Sequence, residues 1–271
     1  MAFPPPPPAA PLRLTDRDLE LLSFLAEHRF ALAAQLARVV AGSAAGVGRR
    51  LGALRAAGLV RAERPLHHAP KAWAITRAGL SACDSPLGPP RPIDLGAYRH
   101  DVGVGWLAAA AHRGTFGELS AIVSERTMRS EDRRADRPAD APLHGVRLGD
   151  GDPGRRHYPD LAVVTASGHR VAFELELSTK SPRHRERILA AYAADRRIDV
   201  VVYLVPTRTA AEAIRRSAAR VGAPDVVRVQ RFRWAGGRAP GEPARGREAH
   251  LSHGPAPRAS RDAGRGAEAT R

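Results

Sequence analysis

His157-Tyr158-Pro159-Asp160-Leu161-Ala162-Val163-Val164 and, after a turn, Arg170-Val171-Ala172-Phe173-Glu174-Leu175-Glu176-Leu177-Ser178-Thr179-Lys180 decide how this chain is read. They have the pattern of two short apolar strands joined by residues 165–169, with Gly168 supplying the tight turn. Side chains alternate faces along a strand, so Glu174 and Glu176 share one face. Val171, Phe173, Leu175 and Leu177 take the other, toward a core. Asp160 opens the neighbouring strand, which lets three carboxylates converge at one edge of the sheet. Like charges on adjacent same-face positions repel unless a proton or a cation intervenes. A hard divalent ion, Mg²⁺ or Mn²⁺, held by carboxylate and water oxygens would resolve that repulsion.

The layout resembles the PD-(D/E)xK nuclease superfamily, with Pro159-Asp160 on one strand and Glu174 on the next. More specifically, Pro159-Asp160-Leu161, then Glu174-Leu175-Glu176-Leu177-Ser178-Thr179-Lys180-Ser181, then a basic helix ending near Tyr192 is similar to the replication-relaxation family. The resemblance covers roughly residues 12–234. It implies a winged helix followed by a restriction-endonuclease-like αβββαβ domain, in a protein of actinobacterial plasmids and integrating elements. It further implies Asp160, Glu174 and Glu176 as metal ligands and catalytic groups. In the superfamily motif the residue two after Glu174 is lysine; here it is Glu176. Some active nucleases carry Glu there, and inactive relatives also lose the lysine. Lys180 is one of two lysines in a chain with 43 Lys and Arg residues, which hints at a position wanting a compact ammonium. Four extended residues span ~13 Å, so Lys180 reaches Glu176 only if the chain bends back.

The 271 residues carry a net charge of +15, which calls for a polyanionic partner; double-stranded DNA is the expected one. An anionic membrane is the rival, but no amphipathic Lys/Arg helix with aromatic anchors appears, so no membrane partner is expected. One cysteine, Cys83, excludes an internal disulfide or a cysteine-based zinc site. With no secretory signal in the sequence, a cytoplasmic location is expected.

Five consecutive prolines mark residues 1–11 as a disordered tail. Thr15 caps a first helix with Leu19, Leu22, Phe24 and Leu25 as its buried stripe. A second helix is predicted over 31–39 and a third over 44–57, where Val47, Leu51 and Leu54 face inward. A strand at 59–63, a tip at His67-His68 and a returning strand at 71–75 follow, then a short helix. Residues 12–84 therefore read as a winged helix-turn-helix domain, with Arg49, Arg50 and Arg55 on the recognition helix and Lys71 on the wing as DNA contacts. Residues 85–97 read as a linker. Residues 98–234 read as helix (98–112), strand (118–124), a mobile loop (129–156), the two motif strands, a helix opened by Ser181-Pro182, then strand, helix and strand. Arg183 and Arg185 on that helix are further candidate DNA contacts, while Ile188, Leu189 and Tyr192 pack it. Residues 235–271 read as a disordered basic tail.

The fold class expected is thus α/β, an α+β winged helix ahead of a nuclease-like domain. The function the resemblance implies is a DNA-binding accessory of plasmid or mobile-element replication or transfer. Its partners would be duplex DNA and other replication or transfer proteins, and Mg²⁺-dependent endonuclease chemistry would need Asp160, Glu174, Glu176 and Lys180. Asp101 or Glu125 could supply a fourth acid. The alternative is a transcriptional regulator or DNA-binding module with an inactive nuclease-like domain. A docking adaptor using the proline run is a weaker third reading.

Overall fold

The computed structural model describes residues 12–67, 69–135, 141–149, 155–178 and 180–234. The two tails and His68 lie outside the described residues. The first helix, α1 (Asp16–Glu27), begins where Thr15 and Asp18 close a capping box: the Asp18 amide donates to Thr15 Oγ1 at 3.3 Å and the Thr15 amide donates to Asp18 Oδ2 at 2.8 Å. Its buried stripe is Leu21, Leu22 and Leu25 with Phe24, whereas Leu19 is exposed. Leu19 lies about 100° round the helix from Asp18, and it is Asp18 that shares the inner face with Leu21, Leu22 and Leu25.

The expected second helix is shorter than 31–39, because its first two residues form a strand. This strand, β1 (Ala31–Leu32), pairs with Trp73 and Ala72, and α2 (Ala33–Val39) follows it. Next, α3 (Ala44–Ala56) is capped by Ser43 and buries Val47, Leu51 and Leu54, as their spacing requires. Strands β2 (Val60–Glu63) and β3 (Ala72–Ile75) complete an antiparallel sheet of order β1-β3-β2, and α4 (Arg77–Ala82) starts at the Thr76 cap.

Beyond residue 97 come α5 (Tyr98–His112), β4 (Leu119–Ser124), α6 (Glu125–Arg134) and a small ribbon of β5 (Val146–Arg147) with β6 (Arg156–His157). The motif strands are β7 (Leu161–Thr165) and β8 (Arg170–Leu175), followed by α7 (Pro182–Ala194), β9 (Val200–Val205), α8 (Arg208–Arg220) and β10 (Val227–Arg231). They build a five-stranded mixed sheet of order β10-β9-β8-β7-β4. β4, β7 and β8 run antiparallel in turn; β9 and β10 join parallel to β8 and β9 after helical crossovers. The protein is an α/β protein with a mixed sheet.

The expectation of a mobile loop over 129–156 is corrected for its described part. Ser124 caps α6, and Asp132 on that helix accepts the amides of Leu143, His144 and Gly145 at 2.7–3.0 Å. Three converging N–H donors fix the 143–145 turn around one buried carboxylate and hold it below the ordinary range against the opposing effect of burial.

Two cores flank the sheet. Phe173, Leu175, Val202 and Leu204 face α5 and the N-terminal helices, in one cluster with Leu22, Leu36 and Leu107. Ala172, Val201, Tyr203 and Val205 face α7 and α8. Each large side chain so buried contributes about 1.5–3 kcal/mol. α5 is the shared wall between the N-terminal unit and the sheet, and glycines let it approach both. A Cβ on Gly103 would lie 2.3 Å from Leu175 Cδ2, and one on Gly105 would lie 2.7 Å from Gln35 Nε2. Gln35 itself donates from Nε2 to the Val102 carbonyl at 2.7 Å. Within the expected linker, Leu87 and Pro90 are buried, and the Gly88 carbonyl accepts from Arg126 Nη2 at 2.5 Å. Among the described residues, no helix is long and apolar enough to cross a membrane.

Candidate functional site

The three carboxylates lie where β7 begins and β8 ends. Asp160 precedes β7; its amide donates to the Phe173 carbonyl at 3.0 Å, so it is tied to β8 by its backbone. Its Oδ2 accepts the Leu175 amide at 2.7 Å and lies 3.2 Å from His100 Nε2. Glu174 and Glu176 take the face opposite Phe173 and Leu175, as alternation demands, yet that face is covered and the two side chains are 3% and 4% exposed. An unsolvated carboxylate has to be satisfied inside the protein.

Each is. Glu174 Oε1 accepts from the Tyr192 hydroxyl of α7 and lies 2.6 Å from His157 Nε2. Glu176 leaves the strand, its amide donating to the Leu204 carbonyl at 3.0 Å. The chain then bends back: the Lys180 amide donates to Glu176 Oε1 at 3.2 Å, and Lys180 Nζ lies 2.9 Å from Oε2. Oε2 meets that ammonium as an ion pair but receives no well-directed hydrogen bond. Lys180 therefore comes to the acid cluster from outside the Glu-x-Lys spacing.

The electrostatics follow from this crowding. Burial pushes the Lys180 ammonium down, but Glu174 and Glu176, with a smaller part from Asp160, hold it above its ordinary value. Burial likewise pushes Glu174 up, and His157, Lys180 and the Tyr192 hydroxyl outweigh it, leaving the carboxyl below its ordinary value. His157 is raised by Glu174 against the effect of burial. Tyr192 is driven well above its usual range by burial and by the Glu174 charge. His100, which burial alone would lower, is held at about 10 by Asp101 and Asp160.

Of the expected fourth acids, Asp101 lies 3.9 Å from His100 through Oδ1, while Glu125 is paired with Arg129 at 2.7 Å. Both line the same small cleft as Asp160, a space of about 40 Å³ between the α1–β1 turn and the start of α5. His157, His100 and the Tyr192 hydroxyl are site residues that the sequence reading gave no role. His157 was in plain view in the motif stretch; His100 becomes visible only once α5 is placed.

By type the donor set, three carboxylates, is one a hard cation takes, and among the described residues Glu176 Oε2 meets only the Lys180 ammonium. Protein side chains already stand against these oxygens, and among the described residues no group of three His, Cys, Asp or Glu side chains is spaced to hold a metal.

The candidate DNA contacts divide. Arg49 and Arg55 on α3, Lys71 before β3 and Arg183 in the first turn of α7 are exposed. Arg50 is half-buried and engaged within the protein: Nε donates to Asp18 Oδ1 at 2.6 Å and Nη2 to Oδ2 at 2.5 Å, a bidentate clamp of α3 on α1. Arg185 is buried, and its Nε donates to Ser217 Oγ at 3.1 Å, joining α7 to α8. It shares a helix face with Ile188, Leu189 and Tyr192, at i+3, i+4 and i+7, which is why it is buried.

No protein-family model matches the chain, and no curated protein matches it in sequence.

Proposed function

We propose that the chain is a duplex-DNA-binding accessory of plasmid or mobile-element replication or transfer, with a nuclease-like site at Asp160, Glu174, Glu176 and Lys180. The observation that carries this reading is the return of Lys180 to the carboxylates, which restores an ammonium beside the acids where the motif itself has Glu176. The sheet order β4-β7-β8-β9, with β9 parallel after the α7 crossover, supports a restriction-endonuclease-like core. The order β1-β3-β2 beneath three helices supports a winged helix, with exposed Arg49 and Arg55 on α3 toward phosphates. The charge of +15 supports a polyanionic partner.

Asp160, Glu174 and Glu176 would hold Mg²⁺ or Mn²⁺, which would supply charge neutralisation at a phosphate and a more acidic water. Lys180 would place its positive charge where negative charge develops on the phosphate, and Tyr192 would fix the Glu174 carboxylate in place. A second reading is a DNA-binding regulator with an inert site. It is favoured by one observation, that every one of the three carboxylates already has a protein partner.

Incubating supercoiled and linear DNA with the protein and Mg²⁺ or Mn²⁺, beside Asp160→Ala and Lys180→Ala, separates the two. Metal-dependent cleavage lost in both variants fits the nuclease reading. DNA binding without cleavage by the wild type fits the inert one.

A further inference from the structure

We propose that Arg29, in the turn between α1 and β1, is a positioning residue for Asp160, so that the N-terminal unit completes the carboxylate site. The inference rests on the site proposed above and names what controls it. Arg29 Nη1 lies 3.4 Å from Asp101 Oδ2. The other Asp101 oxygen, Oδ1, lies 3.9 Å from His100 Nδ1, and His100 Nε2 lies 3.2 Å from Asp160 Oδ2. Both imidazole nitrogens thus face a carboxylate, and the far carboxylate is gripped by an arginine from the other half of the chain. The His100 ring lies between two carboxylates, hydrogen-bonded to the Asp160 oxygen that also accepts the Leu175 amide and in a longer ionic contact with Asp101.

An exposed ion pair alone would carry little, since a partly solvated arginine is free to wander. The frame around this one is what makes it a relay. The carbonyl of His28, next to Arg29, accepts from Arg126 Nη1 at 3.2 Å. On the other side the Phe30 ring stacks on Tyr98 at 5.3 Å, two residues before His100. Below, Gly103 and Gly105 hold α5 against the sheet and against α2. The turn bearing Arg29 and the helix end bearing His100 and Asp101 therefore cannot separate without breaking packing on both faces of α5. A ligand that moves the α1–β1 turn has a contiguous path to Asp160.

The test uses the full chain and two readouts, one free of metal. Arg29→Ala and Arg29→Lys are compared with Arg61→Ala, which removes an equally exposed arginine from its ion pair with Glu63. In the metal-free protein, NMR signals of the His100 imidazole and the Asp160 carboxyl carbon should move in Arg29→Ala, recover in Arg29→Lys and stay put in Arg61→Ala. An unmoved Asp160 signal in Arg29→Ala overturns the relay. Mn²⁺ binding followed by electron paramagnetic resonance should weaken about 3- to 30-fold in Arg29→Ala and not in Arg61→Ala. Equal weakening in both also overturns it. A wild type that binds no Mn²⁺ refutes the metal site itself, and the NMR comparison then decides the relay alone. Should Arg29→Ala not fold, Asp101→Asn cuts the same path one link on, with the same readings.

Discussion

Lys180 Nζ sits 2.9 Å from Glu176 Oε2, four residues apart on a chain that has left its strand and turned back. The pair closes a buried carboxylate that has no solvent to fall back on. Lys180→Met should therefore destabilise the fold by about 2 kcal/mol, since it strands a desolvated charge. Urea unfolding measures this, and a variant as stable as the wild type would show that Glu176 is satisfied without the lysine.

Metal should act on the same cluster. At ~100 times its dissociation constant, Mg²⁺ or Mn²⁺ should stabilise the folded chain by about 2.7 kcal/mol. Glu174→Gln should abolish that gain. Thermal melts with and without metal decide it; no shift in the wild type at millimolar ion means the carboxylates serve the protein cations alone.

Two neighbouring arginines should behave differently. Arg49 is exposed on α3, so Arg49→Ala should lower the slope of log affinity for duplex DNA against log salt by about 0.9. Arg50 clamps Asp18, so Arg50→Ala should instead cost about 1–3 kcal/mol of stability through the unpaired buried acid. Equal effects of both on the salt slope would place Arg50 on the DNA.

Residues 85–97 should resist proteolysis. Their composition suggests a linker, but Leu87 and Pro90 are buried and Arg126 holds the Gly88 carbonyl. Limited digestion of the full chain should spare residues 85–91. Early cleavage there would mean that the two halves part readily in solution.

Stability should also follow pH in a predictable direction. His157 and His100 are raised in the folded state, so their contribution is complete below the ordinary histidine value of 6.5 and fades as pH climbs through the raised values, to about 10 for His100. Glu174 is depressed, so its contribution is complete above 4.5 and fades as pH falls through the depressed value. Metal-free protein should thus be most stable between about 4.5 and 6.5, as far as these groups govern it, and His100→Gln should flatten the decline between 6.5 and about 10. Chemical denaturation across that range checks it; an unchanged slope in His100→Gln would remove His100 from the account.

The chain's local chemistry carried far. Thr15, Ser181 and the 47/51/54 spacing marked helix starts and faces because caps and periodicity act within a turn or two. Alternation along residues 170–177 separated Glu174 and Glu176 from Phe173 and Leu175 for the same reason. α6 was missed because Met128 is the one apolar side chain it buries, leaving no stripe to read, although Ser124, Glu125 and Arg133 are ordinary end signals.

What distance along the chain conceals, only packing settled. By itself the sequence determined most of the helices and the two motif strands, one carrying Glu174 and the other preceded by Asp160, since each follows from residues within a few positions of one another. The tertiary structure decided that Glu174 and Glu176 are buried, that Lys180 folds back to Glu176, and that His157 and Tyr192 share Glu174. It also decided that Arg50 is clamped to Asp18, that Arg185 is buried, and that Arg29 meets Asp101 while His100 meets Asp160. Such outcomes depend on which surfaces close over a charge, and a charge taken out of water must find partners wherever the fold brings them.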